Sequence, residues 1–473
     1  MQFSVEQFSN GRMAVKIETQ ESDARTPSHF ICLVDVSTSM EDENKLHNVQ
    51  HCLKVLLALL TPQDEFSLVT FGDAAKTHCK RMKMTSINAD TMKQTIDGLK
   101  ACGLTNLSAG LGLVNDILKE GAGSAAGPSG QKQGLLLLTD GHANQGLRTD
   151  QELREILGKI RQGHHALSVS IIGYGTDHNA DLLKEMADDC IGGYSIVETM
   201  EGAALAIGEA LGGVLSCCAQ NVRLVVPPGT TVLGPYKVKE ESVQVGDLYS
   251  GTQTMILLEG VAPGAALRLQ GTYMPSLESF DLAPLETVHC TRPSALVGLT
   301  ILRYRSADLF RKIREYTGPA RAIKAEVAAF AAELDNPLFA GYAELVQMMR
   351  SQVESMYKAI EAVCGGRRTV RFHNLLVQQE AFAVLGRGAS MPIQLDTPVL
   401  ETPVLETPVL QRPADEDPQS QTASRTPSGL PSAPPPTYFL SPTSSMGQQR
   451  MARTLQRMTA SRRLSEEEGE PTA

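Results

Sequence analysis

Between residues 30 and 213, short apolar and β-branched runs alternate with amphipathic helical patterns. The runs are nearly continuously apolar, as is typical of parallel strands that are buried on both faces. They are FICLVDV (30–36), FSLVTF (66–71), GLLLLTD (134–140), LSVSIIGYG (167–175) and GGYSIV (192–197). This alternation predicts an α/β fold with a doubly wound, mainly parallel sheet.

The pattern changes on both sides of the α/β domain, which we place at residues 28–215. A hairpin over residues 1–27 and short strands punctuated by Pro and Gly over 216–300 predict an accessory antiparallel β domain. Residues 301–366 have helical patterns and predict a small helical bundle, and we expect a linker over 367–390.

The C-terminal tail, residues 391–473, holds 13 of the 25 prolines together with many Ser, Thr and Gln residues. Such a composition buries too little apolar surface to offset the entropy lost on ordering, so we expect a disordered tail.

The composition restricts the kinds of partner that the chain can bind and the cell compartment in which we expect it. The formal net charge is −10, aromatic residues make up 5% and there is no Trp, so we expect no nucleic-acid binding. None of the nine cysteines stands in a C-x-x-C spacing, and the chain shows neither a signal-peptide run nor a transmembrane segment. These features predict a cytoplasmic protein with reduced cysteines.

Three separated motifs place oxygen-bearing side chains near strand ends. Asp35, Ser37 and Ser39 form a D-x-S-x-S run directly after an apolar strand, Thr105 precedes a helix, and Asp140 ends another strand. Because the carboxyl ends of parallel strands meet at one edge of a sheet, we expect these side chains to converge. Carboxylate and hydroxyl oxygens suit a hard cation such as Mg²⁺. The alternative interpretation is a set of helix caps and turns.

With these motifs and this order of strands, residues 28–215 resemble the von Willebrand factor A-domain family, of the intracellular type followed by a small β domain and a helical tail. The resemblance implies a metal-ion-dependent adhesion site (MIDAS) that holds Mg²⁺, or Mn²⁺, through five residues: Asp35, Ser37, Ser39, Thr105 and Asp140. It also implies protein binding, in which a partner protein supplies an acidic side chain to the bound ion.

Catalysis has little support in the sequence, and we predict that the chain is not an enzyme. It has no G-x-S-x-G nucleophile elbow and no G-x-x-x-x-G-K-[ST] phosphate loop. It also lacks the Cys and His pairs of a RING finger, so we do not expect a RING-type ubiquitin ligase.

Two abutting motifs in the tail support a different function. A match to the P-[ST]-A-P ligand of UEV domains is formed by Pro431, Ser432, Ala433 and Pro434. A match to the P-P-x-Y ligand of WW domains is formed by Pro435, Pro436 and Tyr438. Proline-rich ligands lose little entropy on docking, although such tails also produce short matches by chance. The alternative function is therefore an adaptor for ubiquitin transfer or ESCRT sorting that recruits WW-domain and UEV-domain proteins.

The tail also contains candidate phosphorylation sites. Ser465 ends an Arg-Arg-Leu-Ser run, as basophilic kinases prefer, and Thr426 precedes a proline.

Overall fold

The computed structural model describes residues 1–385, with gaps at 9–10, 22–26, 123–130, 165, 176, 198–199, 263 and 367–368. The tail motifs and phosphorylation candidates lie outside the described residues; these are Thr426, Pro431, Ser432, Ala433, Pro434, Pro435, Pro436, Tyr438 and Ser465. In the described part of the chain, the strands form three sheets, which pack with helices into an α/β domain, a β unit and a helical unit.

The chain begins with two strands that belong to the β unit, β1 (Gln2–Phe8) and β2 (Arg12–Glu18). The sheet of the α/β domain follows. Its strands are β3 (Ser28–Asp35), β4 (Glu65–Phe71), β5 (Ala75–Lys83), β6 (Lys132–Thr139), β7 (Leu167–Tyr174) and β8 (Gly193–Val197). Their order is β5-β4-β3-β6-β7-β8, and every neighbouring pair is parallel except β4 with β5.

Helices cover both faces of this sheet, which confirms the predicted doubly wound α/β architecture. They are α1 (Lys45–Leu59), α2 (Ser86–Asp97), α3 (Leu107–Ala122), α4 (Asp150–Gly163), α5 (Ala180–Asp189) and α6 (Met200–Ser216). Helices α1, α2 and α6 share one apolar core with the sheet, and α3, α4 and α5 share the other. A 3₁₀ helix, Thr38–Asn44, connects β3 to α1.

The next eight strands complete the β unit. They are β9 (Cys217–Val225), β10 (Thr231–Leu233), β11 (Lys237–Lys239), β12 (Ser242–Tyr249), β13 (Gln253–Glu259), β14 (Arg268–Tyr273), β15 (Ser279–Leu282) and β16 (Thr287–Cys290). Two sheets, β10-β13-β2-β1-β16 and β11-β12-β9-β14-β15, enclose one apolar core. The N-terminal strands thus join this unit. The pairing of β1 with β16 is parallel, which differs from the antiparallel arrangement that we expected.

The helical unit extends beyond its predicted bounds on both sides. Its helices are α7 (Ala295–Glu315), α8 (Ala320–Glu333), α9 (Ala343–Cys364) and α10 (Val370–Leu385), with a 3₁₀ helix (Pro337–Tyr342) before α9. The expectation of a linker over 367–390 is wrong for residues 370–385, because α10 packs along α7 and α5 and buries Phe372, Leu376 and Val377.

A buried histidine at the amino end of β3 makes the stability of the fold sensitive to acid. The His29 ring is 0% exposed; its Nδ1 accepts a hydrogen bond from Arg81 Nη1 (3.1 Å), and its Nε2 lies 2.8 Å from Ser67 Oγ. An arginine only donates, so the ring is the neutral tautomer that carries its proton on Nε2. Burial, and then the charge of Arg81, lower the pKa of His29 from 6.5 to about 3.

We expect the free energy of unfolding to fall by roughly 2 kcal/mol between pH 6.5 and pH 5 on account of His29. The unfolded histidine binds a proton as the pH falls through 6.5, whereas the folded one stays neutral down to about pH 3. The stability that depends on a neutral His29 is therefore fully present above pH 6.5 and is lost as the pH falls. Urea denaturation at several pH values measures it. A His29→Gln variant with the same pH dependence as the wild type would contradict the assignment.

Candidate metal site

The loops that follow β3 and α2 are joined by backbone hydrogen bonds. The backbone N–H and the Oγ1 hydroxyl of Thr38 both donate to the Gly103 carbonyl, each at 3.1 Å, and Cys102 N donates to Val36 O at 2.8 Å. Gly103 has a φ of +78°, which strains other residues, and a Cβ there would lie 2.3 Å from the carboxylate of Asp73 and would displace it. The D-x-S-x-S loop is thus held against the loop that carries Thr105.

The loop that follows β6 is joined to the same cluster. Thr105 O accepts hydrogen bonds from Asn144 N (3.1 Å) and Gln145 N (3.2 Å), and Thr105 N donates to Asn144 Oδ1 (2.7 Å). Thr105 is buried at this junction. The three loops that carry the sequence motifs therefore meet at the carboxyl edge of the sheet.

Asp35 lies at the centre of the first motif and is fully buried. Its Oδ1 accepts a hydrogen bond from Ser37 N at 2.9 Å, and its Oδ2 accepts one from Thr139 Oγ1 at 2.6 Å. The hydroxyls of Ser37 and Ser39 lie 3.1 Å apart. The structure therefore brings the carboxylate and both serine hydroxyls of this motif together.

Asp140 is also fully buried, but its carboxylate is poorly satisfied. Its Oδ1 accepts one long hydrogen bond, from His142 N at 3.4 Å. Among the described residues, none donates a hydrogen bond to Asp140 Oδ2, and the Lys45 Nζ lies 3.6 Å from it. A buried carboxylate oxygen without a donor is costly, so this atom is available to a cation.

The electrostatics of the two carboxylates also favour a cation. Burial, and then the negative charge of Asp140, raise the pKa of Asp35 to about 6, against the hydrogen bonds from Ser37 and Thr139. A positive ion beside both carboxylates would relieve this repulsion. Two carboxylates and three hydroxyls form a hard oxygen donor set, which fits Mg²⁺. Within the described residues, no three His, Cys, Asp or Glu side chains form a metal-binding cluster, so the hydroxyls are essential to such a site.

Two charged residues beside the site were missed in the sequence. Lys45 begins α1, is buried, and donates from Nζ to Asp177 Oδ1 at 2.8 Å. Burial would lower the pKa of Lys45, but the hydrogen bond to Asp177 and the charge of Asp140 outweigh it and raise that pKa. Asp177 follows β7, so the strand-end rule that singled out Asp140 also applies to it. The sequence gives no reason to place Lys45 beside the site, because the acidic residues that precede it suggest an exposed segment.

The last described helix contacts the loop beside Asp177. The Nδ2 of Asn374, on α10, donates to the His178 carbonyl at 2.8 Å, and Nε2 of His373 lies 2.7 Å from Asp181 Oδ2. The hydrogen bond to His373 lowers the pKa of Asp181. The helical unit is therefore attached to the edge of the α/β domain at which the candidate site lies.

A model of the von Willebrand factor type A domain matches residues 28–196. A solved structure described as von Willebrand factor type A from Catenulispora acidiphila has a TM-score of 0.52 and is 17% identical, covering 74% of this chain and 88% of that one. That likeness supports the fold alone.

Curated relatives also match part of the chain. The uncharacterised protein YfbK of Escherichia coli (strain K12) is 25% identical over 265 residues, which are 52% of this chain and 44% of YfbK. The inter-alpha-trypsin inhibitor heavy chain H1 of Sus scrofa is 29% identical over 161 residues, 34% of this chain and 17% of that protein. The chain thus spans less than half of the length of these relatives.

Fold and family match together define a class of domain: residues 28–196 form a von Willebrand factor type A domain. Domains of this class generally act as protein-interaction modules rather than as enzymes, and they commonly bind a metal ion at a MIDAS. Among the described residues, no helix is both long enough and apolar enough to cross a membrane.

Proposed function

We propose that this chain binds a partner protein through a divalent ion, Mg²⁺ or Mn²⁺, held by Asp35, Ser37, Ser39, Thr105 and Asp140. The observation that carries the proposal is the buried pair Asp35 and Asp140, which repel each other while Asp140 Oδ2 accepts no hydrogen bond from the described residues. When bound, the ion supplies a Lewis-acidic position that an acidic side chain of the partner fills.

The residues of this chain have three tasks in the proposed site. The buried carboxylates of Asp35 and Asp140 supply its negative charge. The neutral hydroxyls of Ser37, Ser39 and Thr105 supply further oxygens without adding charge, which leaves the need for an outside carboxylate. Thr139 orients Asp35 by donating a hydrogen bond to Oδ2. Nothing in this set is a nucleophile paired with a base, so the proposed role is binding without a chemical step.

The adaptor function in ubiquitin transfer or ESCRT sorting remains the alternative proposal. It rests on the P-S-A-P and P-P-x-Y motifs of the tail, residues 431–438, and on the preference of WW and UEV domains for such ligands. The two functions make different demands on the chain. Metal-dependent capture needs Asp140, whereas tail-dependent recruitment needs Tyr438.

Capture of partner proteins by the full-length chain, in Mg²⁺ and in EDTA, separates the two proposals. We expect specific partners to be lost in EDTA and with Asp140→Ala, because either change removes the ion that their acidic side chain binds. Asp97→Ala is the matched control, since it removes an exposed carboxylate of the same domain that pairs with Lys54. Partners that are retained in EDTA and lost with Tyr438→Ala would instead support the adaptor function.

A further inference from the structure

Lys45 places a buried positive charge against the proposed metal site. Its side chain is 2% exposed, and its Nζ lies 2.8 Å from Asp177 Oδ1 and 3.6 Å from Asp140 Oδ2. A lysine ammonium is strongly hydrated in water, so its burial requires nearby carboxylates in compensation. Asp140 and Asp177 provide them from the loops that follow β6 and β7.

The backbone opposite Lys45 leaves room for its side chain. Gly175 has a φ of +86°, and a Cβ at this position would lie 2.2 Å from Lys45 Cε. Only glycine adopts such a φ without strain and keeps this space free. The position of the ammonium group is therefore determined by the fold, unlike that of a surface lysine, which moves among rotamers.

The geometry points to Lys45 as a residue that sets the charge of the metal site: held by Asp177, its ammonium group offsets the charge of Asp140. This inference rests on the proposed function and specifies what sets the affinity of the site for its ion. The buried charges of Asp35, Asp140 and the Lys45 ammonium group sum to about −1, instead of −2 without Lys45, whereas the carboxylate of Asp177 is 58% exposed and is screened by water. The site binds a divalent ion less tightly as a result, and the bound ion retains more positive charge for a carboxylate of the partner.

Two substitutions change this balance in opposite directions. Lys45→Met keeps a side chain of similar length but removes the positive charge, so the site should bind Mg²⁺ at least about tenfold more tightly than the wild type. Asp177→Asn keeps the lysine but removes the charge that holds it, so the ammonium group neutralises Asp140 more fully. This variant should bind Mg²⁺ about three- to tenfold more weakly.

Matched controls exist for both substitutions. Lys132 is also a buried lysine of the same sheet, at the opposite end of β6 from Asp140, and its Nζ donates to Leu215 O at 2.9 Å. Asp97, like Asp177, is 58% exposed and lies within 3 Å of a lysine Nζ, that of Lys54. Lys132→Met and Asp97→Asn should therefore leave the affinity for Mg²⁺ unchanged.

The test is calorimetric titration of Mg²⁺, and of Mn²⁺, into the metal-stripped full-length protein and each variant. The shift in melting temperature on adding Mg²⁺ gives a second readout, which should be larger for Lys45→Met than for the wild type. An affinity of Lys45→Met equal to or weaker than that of the wild type would overturn the inference. So would an Asp177→Asn variant that binds Mg²⁺ as tightly as Asp97→Asn does.

Failure of the inference is distinguishable from failure of the proposed function. If Asp140→Ala binds Mg²⁺ as the wild type does, the ion lies elsewhere and the proposed function is wrong. If Asp140→Ala abolishes binding while the variants of Lys45 and Asp177 equal their controls, only the role of Lys45 is wrong. Should Lys45→Met fail to fold, Asp177→Asn alone decides the question, because that side chain is 58% exposed.

Discussion

Asp35→Asn is expected to lower the affinity for Mg²⁺ by at least about 100-fold and, at the same time, to stabilise the metal-free protein. Asn has nearly the shape of Asp, but it removes one of the two charges that hold the proposed ion. The metal-free fold gains because a buried carboxylate is costly, as the raised pKa of Asp35, about 6, indicates. Above pH 6 this cost is present in full, so we expect a gain of about 1–3 kcal/mol at neutral pH.

Calorimetric titration of Mg²⁺ and urea denaturation in EDTA measure the two effects of Asp35→Asn. The matched control is Asp64→Asn, which changes a second fully buried carboxylate of the same domain, next to the start of β4. That control should lose stability and keep its affinity for Mg²⁺. If Asp35→Asn bound Mg²⁺ as tightly as the wild type, Asp35 would not be a ligand.

Asp64→Ala is expected to lower the free energy of unfolding by about 3–5 kcal/mol. Asp64 Oδ1 accepts a hydrogen bond from Ser28 N (3.0 Å), and Oδ2 accepts hydrogen bonds from Thr61 N (2.8 Å) and Thr61 Oγ1 (2.9 Å). These bonds join the start of β3 to the loop before β4. Truncation leaves buried donors without an acceptor, and this costs more than the loss of an exposed ion pair.

Urea denaturation of the full-length protein checks this prediction, with Asp97→Ala as the control. Asp97 is 58% exposed and pairs with Lys54, so its removal should change the free energy of unfolding by less than about 1 kcal/mol. Equal effects of the two substitutions would mean that Asp64 does not hold the two segments together.

The α/β domain was predictable because strands that are buried on both faces have nearly continuous apolar sequences, which are easily recognised. The five predicted strands agree with β3, β4, β6, β7 and β8 to within two residues. The edge strand β5 was missed, since its sequence AKTHCKRMK is half-exposed and carries four basic residues. Charged residues of this kind protect an edge strand against pairing with another strand. Helix α10 was missed because its long-range contacts, such as Asn374 with His178, leave no local signal.

The candidate ligands were also predictable from the sequence. Asp35 and Asp140 end apolar strands, and the topology of a parallel sheet brings such ends to one edge. The same rule would have singled out Asp177, which follows the strand β7. The metal-binding role of Asp35 and Asp140 and the partner-binding role of the tail residues remain predictions.

The sequence by itself determined the α/β architecture and the edge of the sheet at which a site could form, because periodicity and strand ends are local features of the chain. Only the tertiary structure decided the charge of that site. Lys45 and Asp177 are 132 residues apart in sequence, and the lysine lies in a run that reads as an exposed acidic segment. Its burial depends on the space left by Gly175 and on carboxylates from two other loops, and contacts of this kind exist only when the strands are assembled.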